Sequence, residues 1–197
     1  MGEADQTLTT NQKVVTWARG KLGKKIGRGE CWDLGEEALK AAGAYTSNDL
    51  GPVKDDSDYV WGDHIELKDV QPGDILQIRN HVVLTTTNAE YQFANTTEEK
   101  ESWFTAKRGH HTAIVDSQMD ANGVLKTLEQ HVKPKGDVVQ NLQLYTRDVP
   151  ATVIRTTEKR INPKTKKLEL AKVTRTVTIK VTGTIWAYRP RPKQHLH

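Results

Sequence analysis

Residues 27–42 read GRGECWDLGEEALKAA and contain Cys31, the only cysteine among 197 residues. From this cysteine onward, apolar residues at positions 31, 34, 38, 39 and 42 recur at helical spacing, and Gly43 follows as a C-cap. Glu30 and Asp33 lie in the first turn, where negative charge complements the helix dipole. The stretch therefore predicts a buried helix whose first residue is the single thiol of the chain.

A cysteine at a helix N-terminus can serve packing or chemistry. A free thiol has a pKa of about 8.5 and is mostly protonated at neutral pH, whereas the helix dipole lowers the cost of forming the thiolate. Backbone N–H groups of the same turn can stabilise an oxyanion, and Gly27 and Gly29 let backbone and substrate approach closely. The other interpretation is a small buried hydrophobic residue, the usual role of a single cysteine on an apolar helix face.

The length of 197 residues allows one sizeable domain, which we expect, or two small domains packed closely. The composition is that of a globular protein, since 36% of the residues are hydrophobic and 27% are charged. No run of about 18 apolar residues is present, so we expect no membrane span. Residues 1–15 lack the basic and apolar regions of a secretory signal, which does not settle the compartment; the cytoplasm and export by a non-classical route are the expectations. A lone cysteine cannot form an intramolecular disulfide, so the core must supply the stability.

Charge is distributed unevenly along the chain. The formal net charge is +4, the excess of basic residues lies in the last fifty residues, and residues 30–75 are acidic. Such an asymmetry can attract nucleic acid or an anionic polymer. The simpler interpretation of the basic segment is the solvated face of a β-hairpin.

The N-terminal part of the chain predicts a second helix and then a loop. Residues Thr10-Asn11-Gln12-Lys13 can cap a helix with apolar positions 14, 15, 18 and 22 and an end near Gly23. Residues 46–64 mix glycine, proline, aspartate and aromatic residues without a sustained period, which indicates an ordered loop.

Beyond the Pro72-Gly73 turn, the pattern changes to that of β-strands. The segment 88–108 reads as an excursion between strands, and Ala121-Asn122-Gly123 and Ile161-Asn162-Pro163-Lys164 read as hairpin turns. The predicted strands are DILQIR (74–79), HVVLTTT (81–87), HTAIVDS (111–117), VLKTLEQ (124–130), ATVIRTT (151–157), ELAKVTRTVTIKV (169–181) and TIWAYR (184–189). Helices followed by antiparallel strands predict an α+β domain with a curled sheet packed on an N-terminal helical layer.

Two residues of the predicted sheet complete a constellation with the thiol. His111 begins one alternating strand, and Glu129 ends the next strand across the Asn122-Gly123 turn, so both can lie near one end of a strand pair. A carboxylate there can hold one imidazole nitrogen and fix the tautomer, as in cysteine–histidine–acid triads.

Four motifs in this order resemble the CHAP and NlpC/P60 branch of the papain-like cysteine peptidases and amidases. They are GECWDL (29–34), QPGDILQI (71–78), GHHTAIVDS (109–117) and LEQH (128–131). The resemblance covers residues 10–131 and makes TIWAYRP (184–190) the closing strand of a barrel. It implies one papain-like domain over residues 1–197, with N-terminal helices on a curled antiparallel sheet or half-barrel, and with insertions at 88–108 and 151–181.

Carried over to this chain, the resemblance makes Cys31 the nucleophile, His111 the general base and acid, and Glu129 the orienting group. The asparagine that often follows the acid by two residues is His131 here. A stretch of 36 residues separates the Pro72-Gly73-Asp74 motif from His111 and is longer than expected, so that residues 88–108 can form a lid or a partner surface.

The implied activity is hydrolysis of an amide or peptide bond, with peptidoglycan stem peptides as the typical substrate class. The implied enzyme needs no cofactor or metal, and we expect a monomer. Residues beside the triad are expected to contact substrate, although ordinary core packing explains Trp32 and Trp61 about as well. These expected substrate contacts are Trp32, Trp61, His110, Gln130 and His131.

Two other function classes remain open from the sequence. A catalytically silent binding module would use the basic β region to hold an anionic polymer, although no RNA-binding aromatic signature accompanies that region. A metal site is the other class, but its candidate ligands lack the close spacing of a zinc motif. These candidates are Cys31, His64, His110, His111 and His131.

Overall fold

The protein is described here by a computed structural model that covers residues 8–193. The helices are Thr10–Arg19 (α1), Cys31–Ala42 (α2) and Ser47–Leu50 (α3), and a 3-10 helix spans Leu67–Asp69. The strands are Asp63–Ile65 (β1), Ile75–Gln92 (β2), Thr97–Val115 (β3), Val124–Glu129 (β4), Gln140–Tyr145 (β5), Val149–Ile161 (β6) and Leu168–Arg189 (β7).

The strands form one sheet in the order β1-β7-β2-β3-β4-β5, and β6 pairs with β7 beside this path. The pairings of β1 with β7, β3 with β4, β4 with β5 and β6 with β7 are antiparallel. The predicted α+β class, with N-terminal helices and an antiparallel sheet, is confirmed. The sheet is not closed into a barrel, so the prediction of a closing strand at residues 184–190 was wrong; these residues belong to the inner strand β7 and its end.

The chain divides into two compact units. The first unit contains the described residues 8–81, 108–146 and 183–193, and the second contains Val82–Lys107 and Arg147–Thr182. Strands β2, β3 and β7 each contribute residues to both units. The single domain over residues 1–197 stays a prediction, and residues 1–7 and 194–197 of that range lie outside the described residues.

Helices α1 and α2 bury the apolar faces that the sequence predicted. Thr9 caps α1 in a reciprocal arrangement with Gln12, whose backbone N–H donates to the threonine hydroxyl at 3.2 Å. Helix α1 ends at Arg19, earlier than the predicted end near Gly23, and Gly43 caps α2 in the left-handed conformation as predicted. The hydrophobic cluster that these helices help to form is Val14, Val15, Ala18, Leu34, Ala38, Leu39, Ala42, Ala44, Trp61, Ile75, Ile114, Leu128, Val139 and Tyr188. A second cluster of this unit is Val70, Leu76, Ile78, Ala113, Val115, Leu125, Leu144 and Ala187.

The Pro72-Gly73-Asp74 motif connects α1, β2 and β7 through a buried carboxylate. Asp74 is fully buried and accepts hydrogen bonds from Asn11 Nδ2 at 2.6 Å and from Arg189 Nη2 at 3.0 Å. Gly73 adopts φ +91°, and a Cβ atom there would lie 2.1 Å from the Asn11 carbonyl oxygen. The motif is therefore a structural junction of the first unit.

The strands are longer than the sequence predicted. The segments 74–79 and 81–87 form one strand, β2, and the segments 169–181 and 184–189 form one strand, β7. Residues 88–108, predicted as an excursion or lid, are the end of β2, a short turn and most of β3. Strands β1 and β5 and helix α3 were not predicted.

The second unit has only a small core. Its hydrophobic cluster is Ala89, Tyr91, Phe93, Ala171 and Val173, and the Arg160 guanidinium lies 3.8 Å from the centre of the Tyr91 ring. At the β6–β7 turn, the buried Asn162 side chain accepts from the backbone N–H of Lys164 at 2.8 Å, which forms the predicted hairpin turn. Within residues 8–193, no helix has the length and apolar character needed to cross a membrane.

Substitution of Gly73 by alanine should lower the free energy of unfolding by about 3 kcal/mol or more. The new methyl group would clash with the α1 backbone, and residue 73 would keep a positive φ that strains any residue with a side chain. Gly51 is the matched control, because its backbone is extended and nothing lies within 4 Å of an added Cβ atom. Urea denaturation of the wild type, Gly73→Ala and Gly51→Ala measures the effect. Equal stability of the two variants would contradict the junction described above.

Candidate active site

Cys31 is the first residue of α2, and the side chain of Gln130 holds the loop that leads to it. Gln130 Oε1 accepts from the Ile26 N–H at 2.8 Å, and Gln130 Nε2 donates to the carbonyl oxygens of Ile26 at 3.0 Å and Glu30 at 2.9 Å. This side chain is fully buried. Gln130 was predicted to contact substrate, which its burial contradicts; it positions the segment before the thiol.

The first turn of α2 is organised by the buried carboxylate of Asp33. Its Oδ2 atom accepts from the Arg28 N–H at 2.7 Å, and its Oδ1 atom accepts from Arg28 Nη2 at 3.0 Å. Gly27 adopts φ +56°, and a Cβ atom there would lie 2.8 Å from the Asp33 carboxyl carbon. The expectation that Gly27 admits substrate was therefore wrong, because its contact is with Asp33.

His111 and Glu129 meet across the β3–β4 pair. The register pairs Ile114 with Leu128, which puts His111 and Glu129 on the same face of the sheet. His111 Nε2 lies 3.0 Å from Glu129 Oε2, and both side chains are buried. Because Nε2 faces the carboxylate, Nδ1 is the ring nitrogen that remains for the thiol of Cys31, and the imidazole lowers the pKa of that thiol.

Arg108 holds the same carboxylate and was missed by the sequence analysis. Its Nε atom donates to Glu129 Oε2 at 2.7 Å, its Nη2 atom donates to Oε1 at 2.9 Å, and the Thr127 hydroxyl also donates to Oε1. Strict strand alternation would put positions 108 and 111 on opposite faces, yet both side chains reach Glu129. The only feature of the sequence that points to Arg108 is its place three residues before the strand histidine. Strand alternation predicts the opposite face for it, so the contact with Glu129 could not be predicted.

Cys31, His111 and Glu129 shift one another's pKa values. Burial by itself would raise the pKa of Glu129, but His111 and Arg108 outweigh it and lower this pKa to about 2. Burial would lower the pKa of His111, but hydrogen bonds to Cys31 and Glu129 raise it to about 9. Burial would also raise the pKa of Cys31, yet the hydrogen bond and charge of His111, with the Thr112 backbone, bring it below its usual value. The arrangement favours a thiolate beside an imidazolium.

The family model for the AIM3/BBC1 cysteine proteinase-fold domain matches residues 5–197. The chain belongs to this family. No curated protein and no solved structure matches the chain. The family's cysteine proteinase fold agrees with the papain-like fold superfamily that the sequence motifs indicated.

In this AIM3/BBC1-family domain, the two tryptophans predicted to contact substrate lie in different surroundings. Trp61 is completely buried in the core and its Nε1 atom donates to Gln77 Oε1 at 3.1 Å, so its predicted role in lining the cleft was wrong. Trp32, next to the thiol, is half-buried and donates from Nε1 to the Ser47 hydroxyl at 2.9 Å. Trp32 therefore remains a candidate substrate contact.

Histidines 110 and 131 have different neighbours. His110 is half-buried, its Nε2 atom is hydrogen-bonded to the Ser57 carbonyl oxygen, and its ring centre is 5.3 Å from that of Tyr59. The His131 side chain is 53% exposed, and its Nε2 atom lies 3.7 Å from Glu30 Oε2. Both rings remain candidate substrate contacts at the rim.

Tyr59 is a further candidate that the sequence analysis did not single out. Burial raises the pKa of its hydroxyl group, and the negative charge of Cys31 raises it further, which places the phenol within electrostatic range of the thiolate. Tyr59 also lines a cavity of about 260 Å³ together with Ser47, the hydrogen-bond partner of Trp32. Gly51, Pro52, Val53, Ser57, Asp58 and Val60 complete the wall.

Two of the residues weighed for a metal site, His64 and His131, lie apart from Cys31 and His111. His64 lies in β1, with its ring centre 5.8 Å from that of Tyr188, and His131 lies beside Glu30. In the part of the chain that the structure describes, no group of three His, Cys, Asp or Glu side chains is arranged to hold a metal ion.

Alkylation of Cys31 by iodoacetamide should be rapid well below pH 8, because the imidazolium of His111 stabilises the thiolate. In His111→Ala, the pH at which labelling becomes rapid should move up toward the range of an ordinary thiol. Intact-mass spectrometry measures the rate at each pH, and the exposed His131→Ala is the control. A wild-type thiol that reacts only in denaturant would contradict the ion pair.

Acid should destabilise the protein through Glu129. Its folded pKa of about 2 lies below the ordinary value of 4.5, so its contribution is present above pH 4.5 and is lost as the pH falls toward 2. The loss should be roughly 3 kcal/mol in the free energy of unfolding. Chemical denaturation at pH 5 and pH 2.5 should show a smaller decrease in Glu129→Gln than in the wild type, whereas the exposed Glu66→Gln should follow the wild type.

Proposed function

We propose that this chain is a thiol hydrolase that cleaves an amide or peptide bond through Cys31, His111 and Glu129. The observation that carries the proposal is the buried pairing of His111 with Glu129, together with a thiol at Cys31 whose pKa the His111 imidazole lowers. A structural cysteine needs neither an imidazole that lowers its pKa nor a buried anion behind that imidazole.

In the proposed mechanism, the Cys31 thiolate attacks the amide carbonyl carbon and a C–S bond forms. In the first turn of α2, the Asp33 N–H already donates to the Glu30 carbonyl oxygen at 3.2 Å, so the N–H groups of Cys31 and Trp32 stabilise the oxyanion of the tetrahedral intermediate. His111 Nδ1 then gives its proton to the leaving amine as the C–N bond breaks, which leaves an acyl-enzyme.

Hydrolysis of the acyl-enzyme reverses the roles. His111 Nδ1 removes a proton from water, the resulting hydroxide attacks the thioester carbon, and the C–S bond breaks to restore the thiolate and imidazolium. Glu129 stays ionised throughout and holds Nε2, while Arg108 and Thr127 keep the carboxylate in place.

Within the cysteine proteinase fold, we assign the chain to the CHAP and NlpC/P60 branch, and we propose peptidoglycan stem peptides as the substrate class. The order of the four motifs along the chain supports this assignment. The proposed substrate contacts are Trp32, Tyr59, His110 and His131. Tyr59 lines the cavity, Trp32 is bonded to the cavity residue Ser47, His110 contacts Tyr59, and His131 contacts Glu30, which precedes the thiol.

A second candidate function is a binding module that holds an anionic polymer without chemistry at Cys31. The observation that favours it is the charge of residues 149–181, which carry nine basic side chains and two acidic ones. In that case Cys31→Ala retains full function, and binding weakens steeply as salt is added.

Release of peptide from purified peptidoglycan, followed by mass spectrometry, tests the catalytic proposal. Cys31→Ala and His111→Ala should each lower kcat/KM by about 10⁴-fold, because each removes a reacting group. Glu129→Gln should lower it by about 10²-fold, because the imidazole keeps a hydrogen-bond partner but loses the stabilising charge. Glu66→Gln is the exposed control. Equal tolerance of all three site substitutions, with the wild type active, would exclude the triad.

A further inference from the structure

Strand β6 has a free edge. Among the described residues it pairs with β7 alone, so one side of its backbone has no neighbouring strand. Ten successive residue pairs, from Thr152↔Val177 to Ile161↔Leu168, continue without a bulge. In an antiparallel ladder, alternate residues turn their N–H and C=O groups to the outer side, so about five of these ten residues offer unpaired backbone groups.

The edge is also apolar and open to solvent. Residues 150–157 are exposed on both faces of the strand. Val153 and Ile154 are each 46% exposed and Ile161 is 64% exposed. The only proline of β6, Pro150, lies before the regular pairing begins, so no residue within residues 152–161 blocks the addition of a strand. Long, regular and partly apolar edges are templates for pairing.

The charge of this edge that is left without an ion-pair partner is positive. The two acidic residues of the β6–β7 hairpin are engaged: Glu158 Oε1 lies 2.7 Å from Arg175 Nη1, and Glu169 Oε2 accepts from Asn162 at 2.7 Å. Arg155 and Lys159 are exposed and form no ion pair within residues 8–193. Pairing of two copies of β6 would bring these like charges together, which disfavours a second copy of this chain.

We propose that β6 docks an extended acidic peptide segment of another protein, which adds to the sheet as its next strand. The peptide backbone takes the unpaired N–H and C=O groups, and acidic side chains pair with the basic ones of β6. An anionic polymer without a peptide backbone can pair with the basic side chains but cannot take the unpaired N–H and C=O groups. The proposal is independent of the chemistry at Cys31.

The register of β6 sets the pattern of the partner. Arg155 and Lys159 are four residues apart and therefore lie on the same face of the strand. Val153 and Ile161 lie on that face too. Acidic residues four apart on a docked strand can lie opposite both basic side chains at once. Acidic residues three apart lie on opposite faces of that strand, so only one of them reaches this basic pair.

Binding of two fluorescein-labelled decapeptides to the whole chain tests the proposal by fluorescence anisotropy. Both contain only valine, threonine and two glutamates, which are four residues apart in one peptide and three apart in the other. The first should bind more tightly, and Arg155→Glu combined with Lys159→Glu should weaken its binding by about tenfold. Lys13→Glu combined with Lys68→Glu makes the same change in net charge at exposed sites of the first unit and should change binding by less than about twofold.

Hydrogen exchange of the wild-type chain provides a second readout that needs no variant. The first peptide should slow exchange at alternate amides of residues 152–161, since only outward N–H groups gain a partner. Absence of peptide binding would overturn the proposal. Equal binding of both peptides and of heparin, without slowed exchange, would show attraction of anionic polymers by charge alone. A dimer in sedimentation equilibrium without peptide would identify a second copy as the occupant.

Discussion

The buried contact of Arg108 with Glu129 is the interaction on which the candidate site depends. A carboxylate removed from water is costly unless donors surround it, and Glu129 accepts from Arg108, Thr127 and His111. Two of these donors come from β3 and one from β4, so the carboxylate also holds the two strands in register. The ionised carboxylate in turn favours the imidazolium, and the imidazolium favours the thiolate of Cys31.

Buried carboxylates surrounded by hydrogen-bond donors occur elsewhere in the first unit. Asp74 joins α1, β2 and β7 through Asn11 and Arg189, and Asp33 holds the turn before α2 through Arg28. Each carboxylate is buried and each is matched by an arginine or by backbone N–H groups. The helical layer and the sheet are therefore joined by directional contacts as well as by apolar packing, which fixes the position of the first residue of α2. The second unit has five buried core residues and displays long exposed strands, a construction suited to presenting a surface.

Local pattern was sufficient for the elements with a buried apolar face. The spacing of apolar residues predicted α1 and α2, and alternation predicted parts of β2, β3, β4, β6 and β7. Residues 97–107 carry mostly polar side chains that are exposed on both faces, so alternation has no signal there and the continuous strand was missed. The joining of segments into β2 and β7 was missed for the same reason, since polar residues interrupt the apolar pattern within each strand.

The sequence by itself determined the α+β class, the placement of a single thiol at a helix start, and the separation of His111 and Glu129 by one hairpin. Tertiary structure alone decided that Arg108 reaches Glu129, that Gln130 supports the loop before the thiol, and that Trp61 lies in the core. The physical reason is that periodicity reports only the face on which a side chain lies. The hydrogen-bond partners of a buried polar group depend on residues distant in sequence, which only the folded chain brings into contact.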